Sequence, residues 1–544
     1  MQKTQILVVG GGPAGSYAAA ALAREGFDVV LFEMAKFPRY HIGESLIPSA
    51  RHYLRFIDAE HKIAAHGFTR KPGSAIKFNQ YMREGYTDFV ALGADNNAWN
   101  VVRSEFDQLL LEHASSCGAR VFQQTRVSDI IFCVKRDPGR PVSAMYETAL
   151  GGSGEIGFDF LVDATGRAGL MSTKYLKNRK FNETLKNVAV WGYWRCTGMY
   201  GQGTDRENAP WFEALSDESG WAWFIPLHKG LTSVGIVMDQ KQLGLRSRAS
   251  SSAGTSTSPP AGMRHRSLSI RTSSTLAERY LGMLPLAPGV VELIGDGELV
   301  SVSEEGMDEE GPAVKSASDY SYSADTYAGP GWRVIGDAGA FIDPFFSSGV
   351  HLAFTGALSA AASIAASLRG DCSESEAALW HSSRVAISYT RFLVVVLSAY
   401  KQIRAQSAPV LADVNEDNFD KAFACLRPVI QGGAEMGARL SEDELQRALD
   451  FCVHLFSPTT PEQHDSVRKK LQALGLTTDY DDSTATRHGD PKGSDAMDMV
   501  LEKVNARRVI HAEHGNGLNS LEEEAVEGFV VRLQTGQLGL VKNV

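Results

Sequence analysis

Residues 5–33 constrain the fold more than any other stretch of the chain. A strand-like run, Ile6-Leu7-Val8-Val9, enters Gly10-Gly11-Gly12-Pro13-Ala14-Gly15 directly. An alanine-rich helix from Ala18 to Ala23 follows, and Gly26 stops it. Asp28-Val29-Val30-Leu31-Phe32 then forms a second strand that ends in Glu33. This order is one βαβ unit. Gly10 permits the tight turn, Gly12 lets the backbone approach a pyrophosphate, and Gly15 lets helix and strand pack closely. The pyrophosphate rests on the helix N-terminus, where free N–H groups and the helix dipole favour negative charge. Glu33 is placed to accept hydrogen bonds from ribose hydroxyls.

The glycine pattern alone is weak evidence, because Gly152-Ser153-Gly154-Glu155-Ile156-Gly157 fits it too. That second match lies between two strand-like runs, Val142 to Leu150 and Phe158 to Val162, with no helix behind it. It reads as a hairpin turn. Two distant segments separate the first match from a nicotinamide site. Leu161-Val162-Asp163-Ala164-Thr165-Gly166 is a strand running into a glycine turn, and Val334-Ile335-Gly336-Asp337-Ala338-Gly339 is another. The helix-like Val350-His351-Leu352-Ala353 comes shortly after. An acid at Asp337 can bond a ribityl chain, and the next helix N-terminus can face a flavin pyrimidine. All three segments in this order point to FAD.

Of 544 residues, 43% are hydrophobic and 22% charged, enough for two or three lobes with their own cores. The net charge of -10 argues against a nucleic-acid partner, since little basic surface is left to neutralise phosphates. Cys117, Cys133, Cys196, Cys372, Cys425 and Cys452 show no CxxC spacing, so we expect buried, reduced thiols and no metal site. The opening apolar run is too short for a secretory signal. Phe392 to Tyr400, the most membrane-like stretch, falls short of the roughly 20 residues a span requires and reads as a buried helix. These features suggest a cytoplasmic protein.

The expected fold class is α/β. Residues 1–175 and 326–370 form the FAD-binding domain, interrupted by sheet segments near 70–102. Residues 176–325 form a substrate-side sheet, read as antiparallel from segments around 70–102 and 187–237. Residues 371–544 form a helical C-terminal region. Arg246 to Thr275 holds 14 Ser/Thr in 30 residues with no acidic or aromatic residue, and is expected to be a disordered insert. Ser441-x-x-Glu444 and Ser520-x-x-Glu523 read as helix capping boxes, and Asp479 to Lys492 as a polar surface loop.

The three glycine-turn segments resemble the p-hydroxybenzoate-hydroxylase-type flavoproteins. Phe37-Pro38-Arg39-Tyr40-His41-Ile42-Gly43-Glu44-Ser45-Leu46 resembles the segment after the second strand in flavin-dependent halogenases. Trp221-Ala222-Trp223-Phe224-Ile225-Pro226 fits the WxWxIP signature of that family. The resemblance spans roughly residues 4–400 and is closest to fungal halogenases of phenolic polyketides. It implies flavin contacts from Gly10, Gly12, Ala14, Gly15, Glu33 and Gly43. It implies further contacts from Ser45, Arg103, Asp163, Gly166, Asp337 and Gly349.

Within Phe68-Thr69-Arg70-Lys71-Pro72-Gly73-Ser74-Ala75-Ile76-Lys77-Phe78, Lys71 falls at the family's catalytic lysine. Lys77, in a strand, is the fallback and has a structural look. Within Asp343-Pro344-Phe345-Phe346-Ser347-Ser348-Gly349, Phe346 takes the place of a glutamate carried by tryptophan halogenases. A phenol supplies its own electron density and needs no such acid, so this departure points to phenols. Ser348 and Gly349 would bind the halide. The resemblance implies reduced FAD from a separate flavin reductase, a flavin hydroperoxide attacked by chloride or bromide, and hypohalous acid held by Lys71. Lysine could hold this oxidant by hydrogen bond, or as a chloramine if its pKa is lowered. The competing expectations are a single-component aromatic hydroxylase and a flavin-bound carrier-docking module without chemistry.

Overall fold

Two eight-stranded sheets organise the described residues. The computed structural model describes residues 2–81, 83–90, 94–133, 139–252, 275–302, 312–406, 469 and 525–543. In the first sheet Gln2–Val9 lies parallel to Ser153–Asp163 on one side and to Val29–Phe32 on the other. Trp332–Val334 and Arg120–Phe122 extend this parallel run. Burial on both faces explains the unbroken apolar run of Ile6, Leu7 and Val8, all 0% exposed. The helix Pro13–Arg24 crosses over between the first two strands, with Gly12 as its N-cap. Pro141–Thr148 and Ser153–Asp163 pair antiparallel, so the second glycine match is indeed a hairpin turn running into a strand.

The second sheet runs in the order Glu298–Val300, Arg179–Arg195, Leu231–Asp239, Gly220–Pro226, Trp211–Ala214, Gly73–Lys77, Gly85–Asp88, and its eighth strand, Val314–Ala324, also pairs with Arg179–Arg195. It is antiparallel as expected, save for Trp211–Ala214, which lies parallel to Gly73–Lys77. Lys71 is not part of it. Thr69–Lys71 pairs with Ala98–Asn100 in a separate two-stranded ribbon, with Lys71 opposite Ala98.

Gly349–Arg369 is the most apolar described helix, and the only described one long and apolar enough to cross a membrane. Its most apolar window is 89% buried inside the protein, packed on Pro13–Arg24 and on Glu374–Ile403. The stretch Phe392 to Tyr400 lies inside the latter helix and is largely buried, as expected.

Three expectations need correction. The helix Gln240–Ser252 runs into the segment read as a disordered insert, started by the good helix formers Gln240, Lys241, Gln242 and Leu243. Thr275 at its far end caps the next helix, accepting from the Glu278 N–H at 3.2 Å; residues 253–274 lie outside the described residues. The C-terminal region is not wholly helical. Phe529–Arg532 and Gly539–Lys542 form a hairpin whose Phe529, Val531, Leu538 and Leu540 join the main core. Alternating burial along Phe529–Arg532 and left-handed Gly528 and Gly536 favour a turn-linked pair over a helix. The two downstream capping boxes, the polar run at 479–492, Cys425 and Cys452 fall outside the described residues. The four described cysteines are free but not buried: Cys133 and Cys196 are exposed, Cys117 and Cys372 half-buried.

Candidate active site

The glycine turn is built to be tight at two points and open at a third. Gly10 has φ +108°, and a Cβ there would sit 2.2 Å from the Ala164 carbonyl oxygen. At Gly15 a Cβ would lie 1.9 Å from the Gly10 carbonyl oxygen. Gly12 differs: the nearest atom to a Cβ is the Arg39 guanidinium at 3.5 Å. No backbone crowds this position, which is the N-cap of the helix, and only the end of a flexible side chain comes near it. Ala14 packs beneath Gly336, whose φ of +57° turns the chain toward Asp337.

The acids divide in the same way. Glu33 Oε2 accepts from the Gly11 N–H at 2.6 Å and Oε1 from the Ala35 N–H at 2.7 Å, so the carboxylate props the turn. Asp163 accepts from Thr165 N–H, Thr165 Oγ1 and Met171 N–H at 3.0, 2.6 and 2.6 Å. Gly166, at φ +60°, has nothing within 4 Å of a Cβ. Asp337 has no side-chain hydrogen bond among the described residues. Burial pushes its carboxyl up to about 6, against the pull of Arg103, Arg167 and Arg179.

Arg103 anchors the segment after the second strand. Its guanidinium grips Asp107 at 2.7 and 3.0 Å and donates to the Ile42 carbonyl at 2.8 Å. Gly43 has φ +107°, and a Cβ there would press on this guanidinium at 2.9 Å. Burial pushes the Asp107 carboxyl up, but Arg103 and Arg39 outweigh it and hold it below the usual range.

Lys71 is 1% exposed. Its Nζ donates to Ser45 Oγ and to the Leu46 carbonyl, each at 2.8 Å, and lies 5.3 Å from the centre of the Phe89 ring. Among the described residues no carboxylate pairs with it. Burial alone therefore lowers the amine to about 7, making its neutral form accessible near neutrality. Lys77 is different: it lies 3.9 Å from the buried Glu213, which also accepts from the Gly289 and Val290 N–H groups.

At the opposite end, Ser348 Oγ is buried and has no hydrogen-bond partner among the described residues. Gly349 begins the long apolar helix, is exposed and has nothing within 4 Å of a Cβ. Donor groups with open space in front of them at a helix N-terminus suit an anion. Free space at Gly12, an unpartnered Asp337 carboxylate and this open helix end together fit a dinucleotide-type flavin.

The two tryptophans lie on one face of Gly220–Pro226, with Ile225, as their alternation requires. Trp223 lies over Gly235, where a Cβ would meet the ring at 2.3 Å. Trp221 stacks edge-on with Phe345 at 5.1 Å, and Phe346 continues the stack at 4.8 Å. Each indole N–H is tied down, Trp221 to Tyr400 Oη at 2.8 Å and Trp223 to Ser233 Oγ at 3.1 Å. Tyr400 in turn donates to Asp343 at 2.6 Å.

Sequence reasoning gave no role to Glu44, which the structure buries. Trp191 Nε1 donates to Tyr40 Oη at 2.7 Å, Tyr40 and Tyr193 hydroxyls bond at 3.0 Å, and Tyr193 donates to Glu44 Oε1 at 2.5 Å. Burial raises the Glu44 carboxyl to about 7, and Oε2 has no hydrogen-bond partner among the described residues. Tyr193 lies 149 positions away, so no local pattern signals the contact.

A parallel sheet with a glycine turn, an open helix end and an antiparallel second sheet defines an FAD-binding flavoprotein of the p-hydroxybenzoate-hydroxylase type. The chain belongs to the tryptophan halogenase family, whose model matches residues 5–99 and 90–470. It is 52% identical to the flavin-dependent halogenase armH1 of Armillaria mellea, over 99% of this chain and 98% of that protein. It is 44% identical to the sulochrin halogenase gedL of Aspergillus terreus, over 99% and 93%. The fold matches the flavin-dependent halogenase CmlS with a TM-score of 0.67 at 24% identity, over 99% of this chain and 84% of that one. The chain is thus a flavin-dependent halogenase, and the hydroxylase expectation is not favoured.

Proposed function

We propose that this enzyme halogenates an electron-rich phenol, with Lys71 passing halogen from hypohalous acid to the ring. The observation that carries the reading is the burial of Lys71 without a counter-ion among the described residues, which brings the amine to about 7. Reduced FAD, when bound, supplies the oxygen activation from which hypohalous acid arises with the halide. A separate reductase is the source of that reduced flavin, and the cytosol the setting. Gly12, Ala14 and the N-terminus of Pro13–Arg24 hold the pyrophosphate, while Glu33, Asp163 and Gly166 shape the surrounding turns. Asp337 holds the ribityl chain, and Ser45 and Arg103 fix the segment around Gly43. Ser348 and Gly349 hold chloride or bromide at the open helix end.

A neutral Lys71 amine attacks the halogen of hypohalous acid. An N–halogen bond forms, the O–halogen bond breaks, and a proton from the nitrogen joins the leaving hydroxide as water. The ring carbon then takes the halogen as the N–halogen bond breaks, and the ring's proton passes to the nitrogen, which restores the neutral amine. Ser45 Oγ and the Leu46 carbonyl aim the amine meanwhile. Phe346 stands where a carboxylate would assist a less activated ring, which supports a phenol. A homologue named for the phenolic polyketide sulochrin supports it as well. The test is purified enzyme with a flavin reductase, NADH, a simple phenol and chloride. Halogenated phenol is the expected product; hydroxylated phenol, or none across a panel of phenols, would overturn the reading.

A further inference from the structure

We propose that His66, Glu105 and His228 form a binding site for one first-row transition-metal ion, zinc in the first instance. The three come from separate elements. His66 follows the short helix Glu60–Ala65, Glu105 lies in the first turn of Arg103–Ser116, and His228 sits in the turn between Gly220–Pro226 and Leu231–Asp239. One ligand atom from each lies within 4.8 Å of the other two, the only such three-residue group among the described residues.

The carboxylate is already divided between two tasks. Glu105 Oε2 faces both imidazoles, 2.6 Å from His66 Nε2 and 3.1 Å from His228 Nε2. Oε1 is held by Lys229 at 3.1 Å. Glu105 therefore offers the imidazoles a single oxygen, as a monodentate ligand does. A tetrahedral zinc at about 2.0–2.1 Å from each atom needs ligand atoms about 3.4 Å apart. To reach that spacing Glu105 Oε2, now 2.6 Å from His66 Nε2 and 3.1 Å from His228 Nε2, must draw back from each by less than about 1 Å. Two histidines and one glutamate are a donor set that suits zinc and leaves a fourth position for water. Phe68 floors the site, 4.4 Å from the His66 ring and 5.4 Å from His228, and limits where the rings can move.

The placement gives the ion a positioning task and no part in the chemistry. Phe68 leads into the strand of Lys71, Glu105 follows Arg103, and His228 follows the tryptophan-bearing strand. An ion here ties these three segments together. Lys229 opposes it by charge, so its removal should strengthen binding.

The test uses full-length, tag-free, FAD-loaded enzyme, stripped with a chelator and titrated calorimetrically with zinc chloride. The expected result is one site per chain and a rise in Tm on zinc addition. His66→Ala and His228→Ala should each lose that site while keeping the flavin absorbance, and Lys229→Ala should bind zinc several-fold more tightly. If His228→Ala does not retain flavin, His66→Ala with Glu105→Gln carries the test. No zinc binding by the stripped wild type, or unchanged binding in the histidine and glutamine variants, would overturn the proposal and leave an ion-pair cluster.

Discussion

Asp163 ends and Asp337 follows neighbouring strands of the same parallel sheet, each beside a glycine turn, and the fold uses them differently. The Asp163 carboxylate is fully engaged by three donors within eight residues of itself. The Asp337 carboxylate, among the described residues, has no hydrogen bond, and burial holds its pKa at about 6. The same contrast separates Gly10 and Gly15, where a Cβ collides with backbone, from Gly12, where it does not. One set of residues builds the turn; the other leaves polar capacity and space for a ligand. A group that looks functional in sequence is therefore best judged by what the fold leaves unsatisfied.

The largest effect should come from Asp163→Ala. It strands buried N–H and hydroxyl donors and should cost about 3 kcal/mol or more of stability. Asp337→Ala should change the stability of the FAD-free protein by less than about 1 kcal/mol yet weaken FAD at least about tenfold. Denaturant unfolding and flavin titration measure the two; similar losses on both scales would erase the contrast. Gly12→Val sharpens it from the steric side. Its Cβ meets no backbone, so the protein should fold without flavin, and a normal flavin content would remove Gly12 from the cofactor site.

The βαβ unit was legible because its signals are local, and the face shared by Trp221 and Trp223 follows from strand alternation. Other features were not. Tyr193 and Glu44, or Tyr400 and Asp343, meet only because two layers pack together. The assigned ribose role of Glu33 rests on its position, whereas its carboxylate oxygens also hold backbone N–H groups of the turn. Composition misled at 246–252, where an existing helix continues through serine-rich sequence, and at the C-terminus, where a short hairpin escapes helical periodicity.

Lys71 and Lys77 repeat the contrast between open and engaged groups. The Lys71 pKa is depressed in the fold, so its contribution to stability is present at high pH and is lost as pH falls from about 10.5 toward about 7. Single-turnover halogenation should rise with pH as the amine loses its proton and level off above about 7. A rate independent of pH between 6 and 8 would remove the neutral amine from the mechanism. Lys77→Met should be the mildest change, costing about 1 kcal/mol, because its contact to the buried Glu213 is long at 3.9 Å and that carboxylate keeps its donors from Gln80, Gly289 and Val290, and it should leave halogenation intact.

The most direct measurement is Lys71→Ala assayed for three quantities in one preparation: bound FAD, oxygen uptake with reduced flavin, and halogenated phenol. The expected outcome is full FAD, undiminished oxygen uptake and no halogenated product, with Lys71→Arg failing to restore it because a guanidinium does not become a neutral amine. Substantial halogenation by Lys71→Ala, or loss of FAD together with activity, would contradict the account.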